Sequence, residues 1–314
     1  MCILFSHMDR FLTAMVALLA ASQLSARELP LSPDSNVVGE DSMMVAAHED
    51  TFVKIAREHD LGFLDLVRAN PGVDPWIPGE GTEIVLPTSF VLPDAPRRGV
   101  IINLPELRLY YFPEEDGDRV VTHPISIGRM EWQTPLGLTE IVRRRANPTW
   151  YPPQSVLDEH AEQGRPLETV VPPGPDNPLG NHALYLALPG YLIHGTNMPS
   201  GVGMRVTHGC IRMFPEDIES LFSSVPDGTA VRIVNQPFKL GRVSEGYYLE
   251  AHPLLNEELQ GDEVSIMTEL TRAYVAATEE GQGAQFDWES AERIVLNSRG
   301  VPEFISSNQR LSSN

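Results

Sequence analysis

Residues 193–213 read IHGTNMPSGVGMRVTHGCIRM and place two histidines, a cysteine and four glycines within a single short stretch. A thiol attacks a carbonyl carbon only as its thiolate. At an ordinary thiol pKa of about 8.5 little thiolate exists at neutral pH, so a neighbouring imidazole or positive field is needed. His194 and His208 both answer that description. Gly209 permits close backbone approach beside Cys210, where main-chain amides are able to face a developing oxyanion. If Cys210-Ile211-Arg212 is extended, the side chains of Cys210 and Arg212 share one face, and a guanidinium beside the thiol suits a substrate carboxylate. A rival reading makes His194, His208 and Cys210 zinc ligands with an open fourth position, but no paired-cysteine or HExxH spacing accompanies them.

Outward from this stretch the chain is rich in strand-like runs. Val100-Ile101-Ile102 and Leu107 to Phe112 read as a β-hairpin, followed by Val120 to Ile127, Gly137 to Arg143, Ala183 to Leu188, Leu192-Ile193 and Ala230 to Val234. With 27 prolines and 24 glycines among 314 residues, strands, turns and stiff connectors dominate and long helices are few. Pro215 to Leu221 reads as a short helix, with Pro215 in its first turn and Glu216 and Asp217 favoured by the helix dipole. Residues 147–180 are proline-laden and too long for a plain connector, which makes them a candidate lid or cleft wall. Near the C-terminus, Glu263 to Ala277 has helical spacing, with Val264, Met267, Leu270, Tyr274 and Val275 as a possible apolar face.

Before the hairpin, residues 36–93 read as strand, two helices and strand. The first strand is placed at Val37-Val38, the helices at Thr51–His59, capped by Thr51, and Gly62–Ala69, and the last strand at Glu83–Leu86. Asn70-Pro71-Gly72 stops the second helix.

The N-terminus sets the expected compartment. Arg10 precedes an apolar run from Phe11 to Ala21, then small residues Ser22, Ser25 and Ala26 lead to Arg27 and Glu28. This is the outline of a secretory signal over residues 1–26, too short in its apolar core for a membrane span. Cys2 leaves with it, so the exported chain carries the single thiol Cys210 and no internal disulfide. A formal charge of −20, from 23 Lys and Arg against 43 Asp and Glu, disfavours nucleic acid and anionic membrane surfaces as partners.

The His194-Gly195 pair, a spacer, and Thr207-His208-Gly209-Cys210-Ile211-Arg212 together resemble the signature of the YkuD-type L,D-transpeptidases. The likeness extends through Ile127-Gly128, Thr134-Pro135-Leu136-Gly137, the stretch Asn147 to Pro153, and Pro173 to Gly180. Residues 36–93 resemble a LysM domain, a small module that binds N-acetylglucosamine chains, at Asp50-Thr51, Ile55-Ala56, Asn70-Pro71 and Pro78-Gly79. The resemblance implies a mainly β fold: a β-rich, sandwich-like catalytic domain over residues 99–235, preceded by a small βααβ LysM-like module and followed by an extension over residues 236–314.

It also implies roles. Cys210 becomes the nucleophile, His194 the proton acceptor and donor, the Gly195 carbonyl its orienter, and His208 a supporting residue, with Gly209 in the oxyanion region. Arg212, which stands where the family often has asparagine, Thr207 and Asn197 become substrate-binding. No metal or cofactor is implied. The reaction implied is cleavage of the bond between meso-diaminopimelate and D-alanine in a peptidoglycan stem peptide through a thioester, in the periplasm. The acceptor is a lysine of an outer-membrane lipoprotein, the reading preferred from the module and the long insertion, or a second stem peptide giving a 3-3 crosslink, or water. A non-catalytic peptidoglycan-binding protein is the reading from another class.

Overall fold

A computed structural model of the chain describes residues 27–129, 132–255, 266–278 and 286–307. The expected signal segment with Cys2, and Val264 of the expected C-terminal helix face, lie outside the described residues. The N-terminal part contains β1 (Arg27–Pro30), β2 (Val37–Gly39), β3 (Ser42–Val45), α1 (Phe52–Glu58), α2 (Phe63–Ala69), β4 (Glu83–Leu86) and β5 (Ser89–Val91). Thr51 caps α1 by accepting a hydrogen bond from the Lys54 amide at 3.2 Å. The Asp65 carboxylate accepts from the Gly62 amide at 2.9 Å at the start of α2. The strand that opens the βααβ unit is β3, paired antiparallel with β4, whereas the expected strand at Val37-Val38 is β2 and pairs with β5. The expectation erred because Ser42–Val45 exposes most of its side chains and so lacks a buried-strand pattern.

The central part runs β6 (Gly99–Asn103), β7 (Arg108–Phe112), β8 (Arg119–Pro124), β9 (Ile127–Gly128), β10 (Gly137–Ala146), α3 (Gln154–Glu162), β11 (His182–Leu186), β12 (Leu192–His194), β13 (Arg205–Thr207), β14 (Ile211–Arg212), α4 (Pro215–Ser224) and β15 (Ala230–Val234). One nine-stranded sheet has the order β1-β8-β7-β6-β15-β10-β11-β12-β14. Strand β10 belongs to both halves: Gly137–Glu140 pair with β15, and from Ile141 onward the strand pairs with β11, with a bulge between Ile141 and Arg143. Val100, Ile102, Leu109 and Val231 from one half meet Leu184, Ile193 and Ile211 from the other in one core.

Every residue of β6 and β7 is buried. Their other face, with Ile101, Tyr110 and Phe112, packs against Phe52, Ile55, Leu66 and Ile84 of the N-terminal unit in a second core. The N-terminal unit is therefore a layer on the back of the sheet, not a bead on a tether.

The last part forms β16 (Phe238–Val243), β17 (Gly246–Ala251), α5 (Ile266–Thr278), α6 (Trp288–Asn297) and β18 (Glu303–Ser307). A three-stranded sheet, β16-β17-β18, shares a third core with Leu270, Ile294 and Val295. The expected apolar face of α5 holds at Leu270 and Tyr274, but Met267 and Val275 are exposed, and Ile266, Ala273 and Ala277 pack against the core instead. No helix among the described residues is long and apolar enough to cross a membrane.

Candidate active site

Strands β12 and β14 lie side by side in parallel, with Ile193 opposite Ile211 and His194 opposite Arg212. Alternation along the strands sends both isoleucines into the core, each fully buried, and turns His194 and Arg212 to the other face. Cys210, two residues before Arg212, ends the loop between β13 and β14 on that same side. The pairing of two short strands thus sets the imidazole beside the guanidinium, whose charge also reaches the thiol.

His194 is 5 % exposed, and its Nδ1 stands 2.6 Å from the Gly195 carbonyl oxygen. A carbonyl only accepts, so Nδ1 carries the proton and donates, leaving the Nε2 lone pair as the basic position. Burial pushes the His194 pKa down to about 3, the nearby Arg212 cation adds to this, and the Gly195 bond opposes it. The ring is neutral at neutral pH. Burial raises the Cys210 thiol, against the opposing pull of the Leu192 amide and Arg212. The half-buried sulfur lies 3.6 Å from the Gly190 carbonyl oxygen. The resting site holds a neutral thiol and a neutral imidazole under one cation.

The loop carrying the thiol is stitched in place through its carbonyls. Thr207 Oγ1 donates to the Cys210 carbonyl at 2.6 Å, and Thr134 Oγ1 donates to the Gly209 carbonyl at 2.8 Å. Thr207 is 3 % exposed, so its hydroxyl serves the loop. Gly209 has φ +98°, and a Cβ there would meet Tyr191 Cε1 at 3.0 Å, so glycine is required by both backbone and space. Asn197 lies exposed on the loop after Gly195.

Arg212 has its Nε buried without a hydrogen-bond partner, and its guanidinium makes no ion pair with a carboxylate among the described residues. A half-buried cation without a carboxylate partner, close to a thiol, has the chemistry to receive an anion.

His208 faces a different set of groups. Its Nε2 lies 2.7 Å from Glu159 Oε2 and 3.0 Å from Arg129 Nη2, and its ring stands edge-on to Trp132 at 5.3 Å. The hydrogen bonds from Arg129, then His208, hold the Glu159 carboxyl down at about 2. Glu159 belongs to α3, inside the long segment 147–180, so that segment supplies a helix that reaches the motif loop. His194, His208 and Cys210 do not converge as a metal set; their ligand atoms are not all within 4.8 Å of one another. Glu159, Arg129 and Trp132 escape a reading of spacing, because they lie far from the motif in sequence; only the length of segment 147–180 signals that it approaches the site.

The profile of the YkuD family, described as the L,D-transpeptidase catalytic domain, matches residues 97–233. The chain is 39 % identical over 312 residues to an Escherichia coli protein named Probable L,D-transpeptidase YcfS, covering 97 % of this chain and 96 % of that relative. It is 38 % identical over 289 residues to the Escherichia coli protein named Probable L,D-transpeptidase YbiS, covering 90 % and 92 % of the two chains. A third Escherichia coli relative, named Probable L,D-transpeptidase ErfK/SrfK, is 36 % identical over 305 residues, with 94 % and 96 % covered.

Proposed function

The chain belongs to the L,D-transpeptidases with a YkuD-type catalytic domain, and from that premise we propose that it is a periplasmic cysteine acyltransferase acting on peptidoglycan stem peptides. Cys210 is the nucleophile and His194 the base. The observation that carries this is the bond of 2.6 Å between His194 Nδ1 and the Gly195 carbonyl, which leaves Nε2 as the proton acceptor at a site that also holds the lone thiol of the described residues, both within the field of Arg212.

Nε2 takes the proton from Sγ as sulfur attacks the carbonyl carbon of meso-diaminopimelate in a tetrapeptide stem. The tetrahedral oxyanion collapses, His194 returns its proton to the departing D-alanine nitrogen, and a thioester remains. An incoming amine then gives its proton to His194 and attacks the thioester, and the thiol is regenerated. Arg212 pairs with a carboxylate of the donor, which offsets the positive field that depresses His194 and so makes the imidazole more basic when substrate is bound.

For the acceptor we favour a lysine side chain of an outer-membrane lipoprotein over a second stem peptide, supported by the long segment 147–180 beside the loop and by the layer formed by residues 36–93. That layer is read as a LysM-like glycan-binding module, and the exposed Trp76, tilted against Phe63 with ring centroids 5.7 Å apart, offers an aromatic platform for a sugar ring. Residues 1–26 are read as the export signal, 99–235 as the catalytic domain and 236–314 as an extension.

The test is intact-protein mass spectrometry after incubation with a disaccharide-tetrapeptide, comparing the parent with Cys210→Ala. An adduct equal to the donor minus D-alanine, absent in the variant, is the expected result. No adduct and no released D-alanine would overturn the mechanism and favour a peptidoglycan-binding protein. Adding a lysine-bearing lipoprotein peptide or a second stem then identifies the acceptor by the mass of the product.

A further inference from the structure

Asp60, His123 and Asp217 bring their ligand atoms within 4.8 Å of one another in the interior of the protein. They come from three separate parts: Asp60 from the turn between α1 and α2, His123 from β8, and Asp217 from the first turn of α4. His123 has no exposed surface and Asp217 is 5 % exposed. Neither ring nitrogen of His123 has a hydrogen-bond partner, and Oδ1 of Asp60 and Oδ2 of Asp217 are likewise buried without one. Leaving such groups unpaired is expensive in a folded interior, and here four such atoms lie at one place.

The spacing has a meaning of its own. His123 Nδ1 stands 3.3 Å from Asp217 Oδ1 without forming a hydrogen bond to it. A tetrahedral ion with bonds of about 2.0–2.1 Å holds neighbouring ligand atoms about 3.3 Å apart. A proton shared between the two carboxylates would join one oxygen of each and leave both nitrogens of His123 unpartnered. A cation takes one atom from all three side chains together.

We infer that Asp60, His123 and Asp217 form a structural site for a divalent cation of the zinc type, which fastens the N-terminal layer and the start of α4 to the central sheet. The consequence reaches the motif loop, because α4 begins three residues after Arg212, and the Phe63 and Leu64 amides of α2 bond to the Val202 and Gly203 carbonyls at 3.2 and 3.3 Å. The ion is a clamp remote from the proposed chemistry, so its loading is separable from the thioester reaction.

The test uses the full chain with Cys2 and Cys210 both replaced by alanine, so that neither thiol is a ligand, stripped with chelator and titrated with zinc chloride. Calorimetry and elemental analysis are expected to give one zinc per chain, and the melting temperature to rise with free zinc. Asp217→Asn and His123→Gln are expected to weaken zinc affinity at least tenfold and to remove the thermal shift. Asp60→Asn, at the least buried of the three positions, serves as the variant if His123→Gln fails to fold, with circular dichroism as the check of folding. Absence of saturable uptake would overturn the site. So would unchanged zinc affinity in folded Asp60→Asn and Asp217→Asn, or a gain in stability of zinc-free Asp217→Asn with no zinc uptake by the parent, which would instead reveal a shared proton.

Discussion

Glu159 Oε2 lies 2.7 Å from His208 Nε2, joining residues 49 positions apart in the chain. The contact pins helix α3 to the loop that carries Cys210, with Arg129 donating to the same Glu159 carboxylate. Because the carboxyl is held at about 2, it stays charged through the whole working pH range. Glu159→Ala is expected to raise KM for a tetrapeptide donor several-fold while leaving the rate of Cys210 alkylation by iodoacetamide nearly unchanged. Steady-state kinetics alongside alkylation kinetics check this; an equal loss in both would place Glu159 in thiol activation instead.

A Cβ on Gly203 would stand 2.3 Å from the Cα of Gly62, at a φ of +82°. Backbone cannot withdraw as a side chain can, so Gly203→Ala combines left-handed strain with overpacking and should destabilise by about 2–4 kcal/mol. Gly164, at φ +70° with nothing within 4 Å, is the control, and its alanine variant should lose only about 1–2 kcal/mol. Urea denaturation of the two variants separates the terms.

The thiol carries the pH dependence of alkylation. With Cys210 raised by burial and His194 held at about 3, the rate should climb only above the ordinary thiol range, without an inflection between pH 6 and 7. Arg212→Met removes a field that pulls the thiol pKa down, so its profile should move to still higher pH, and Arg212→Lys should restore most of that shift. A rate plateau beginning near pH 6.5 would instead mean a preformed thiolate–imidazolium pair.

Stability should fall in acid because of His194. Its folded pKa lies below its unfolded value of about 6.5, so the unfolded chain binds the extra proton, and stability is lost as pH drops from about 6.5 toward 3. His194→Gln should flatten this limb by on the order of 1 kcal/mol per pH unit. Denaturation midpoints between pH 4 and 7 measure the difference in slope.

Lys239 is buried between Glu106, at 2.7 Å, and Glu250, at 3.1 Å, and donates to the Val91 carbonyl at 2.7 Å. Lys239→Met leaves two buried carboxyls facing each other and should cost about 3–5 kcal/mol. Protonating one of them relieves the repulsion, so the loss should grow as pH rises. Chemical denaturation at two pH values checks both size and sign.

Much was legible in local runs of residues. The signature from Ile193 to Met213 is confined to one stretch, and the strand-like runs around it mark a mainly β fold, because alternation and turn residues act over a few positions. Thr51 as a cap and Pro215 in a first turn could be read for the same reason. Other features depended on partners far away in sequence. The two-sided burial of β6 and β7 exists because a separate layer covers the back of the sheet. The opening strand of the βααβ unit shifted to Ser42–Val45 because pairing with β4, and not its own apolarity, holds it.

The divide is sharpest at the site. Sequence by itself determined which chemistry-bearing groups exist near the thiol, since His194, His208, Cys210 and Arg212 fall in one short run. Only the tertiary structure decided that His194 and Arg212 share a face, through the pairing of β12 with β14, and that His208 turns to Glu159 and Arg129. Side-chain type and short-range periodicity are properties of the chain, whereas adjacency across tens of residues is set by the packing of whole strands and helices around a common core.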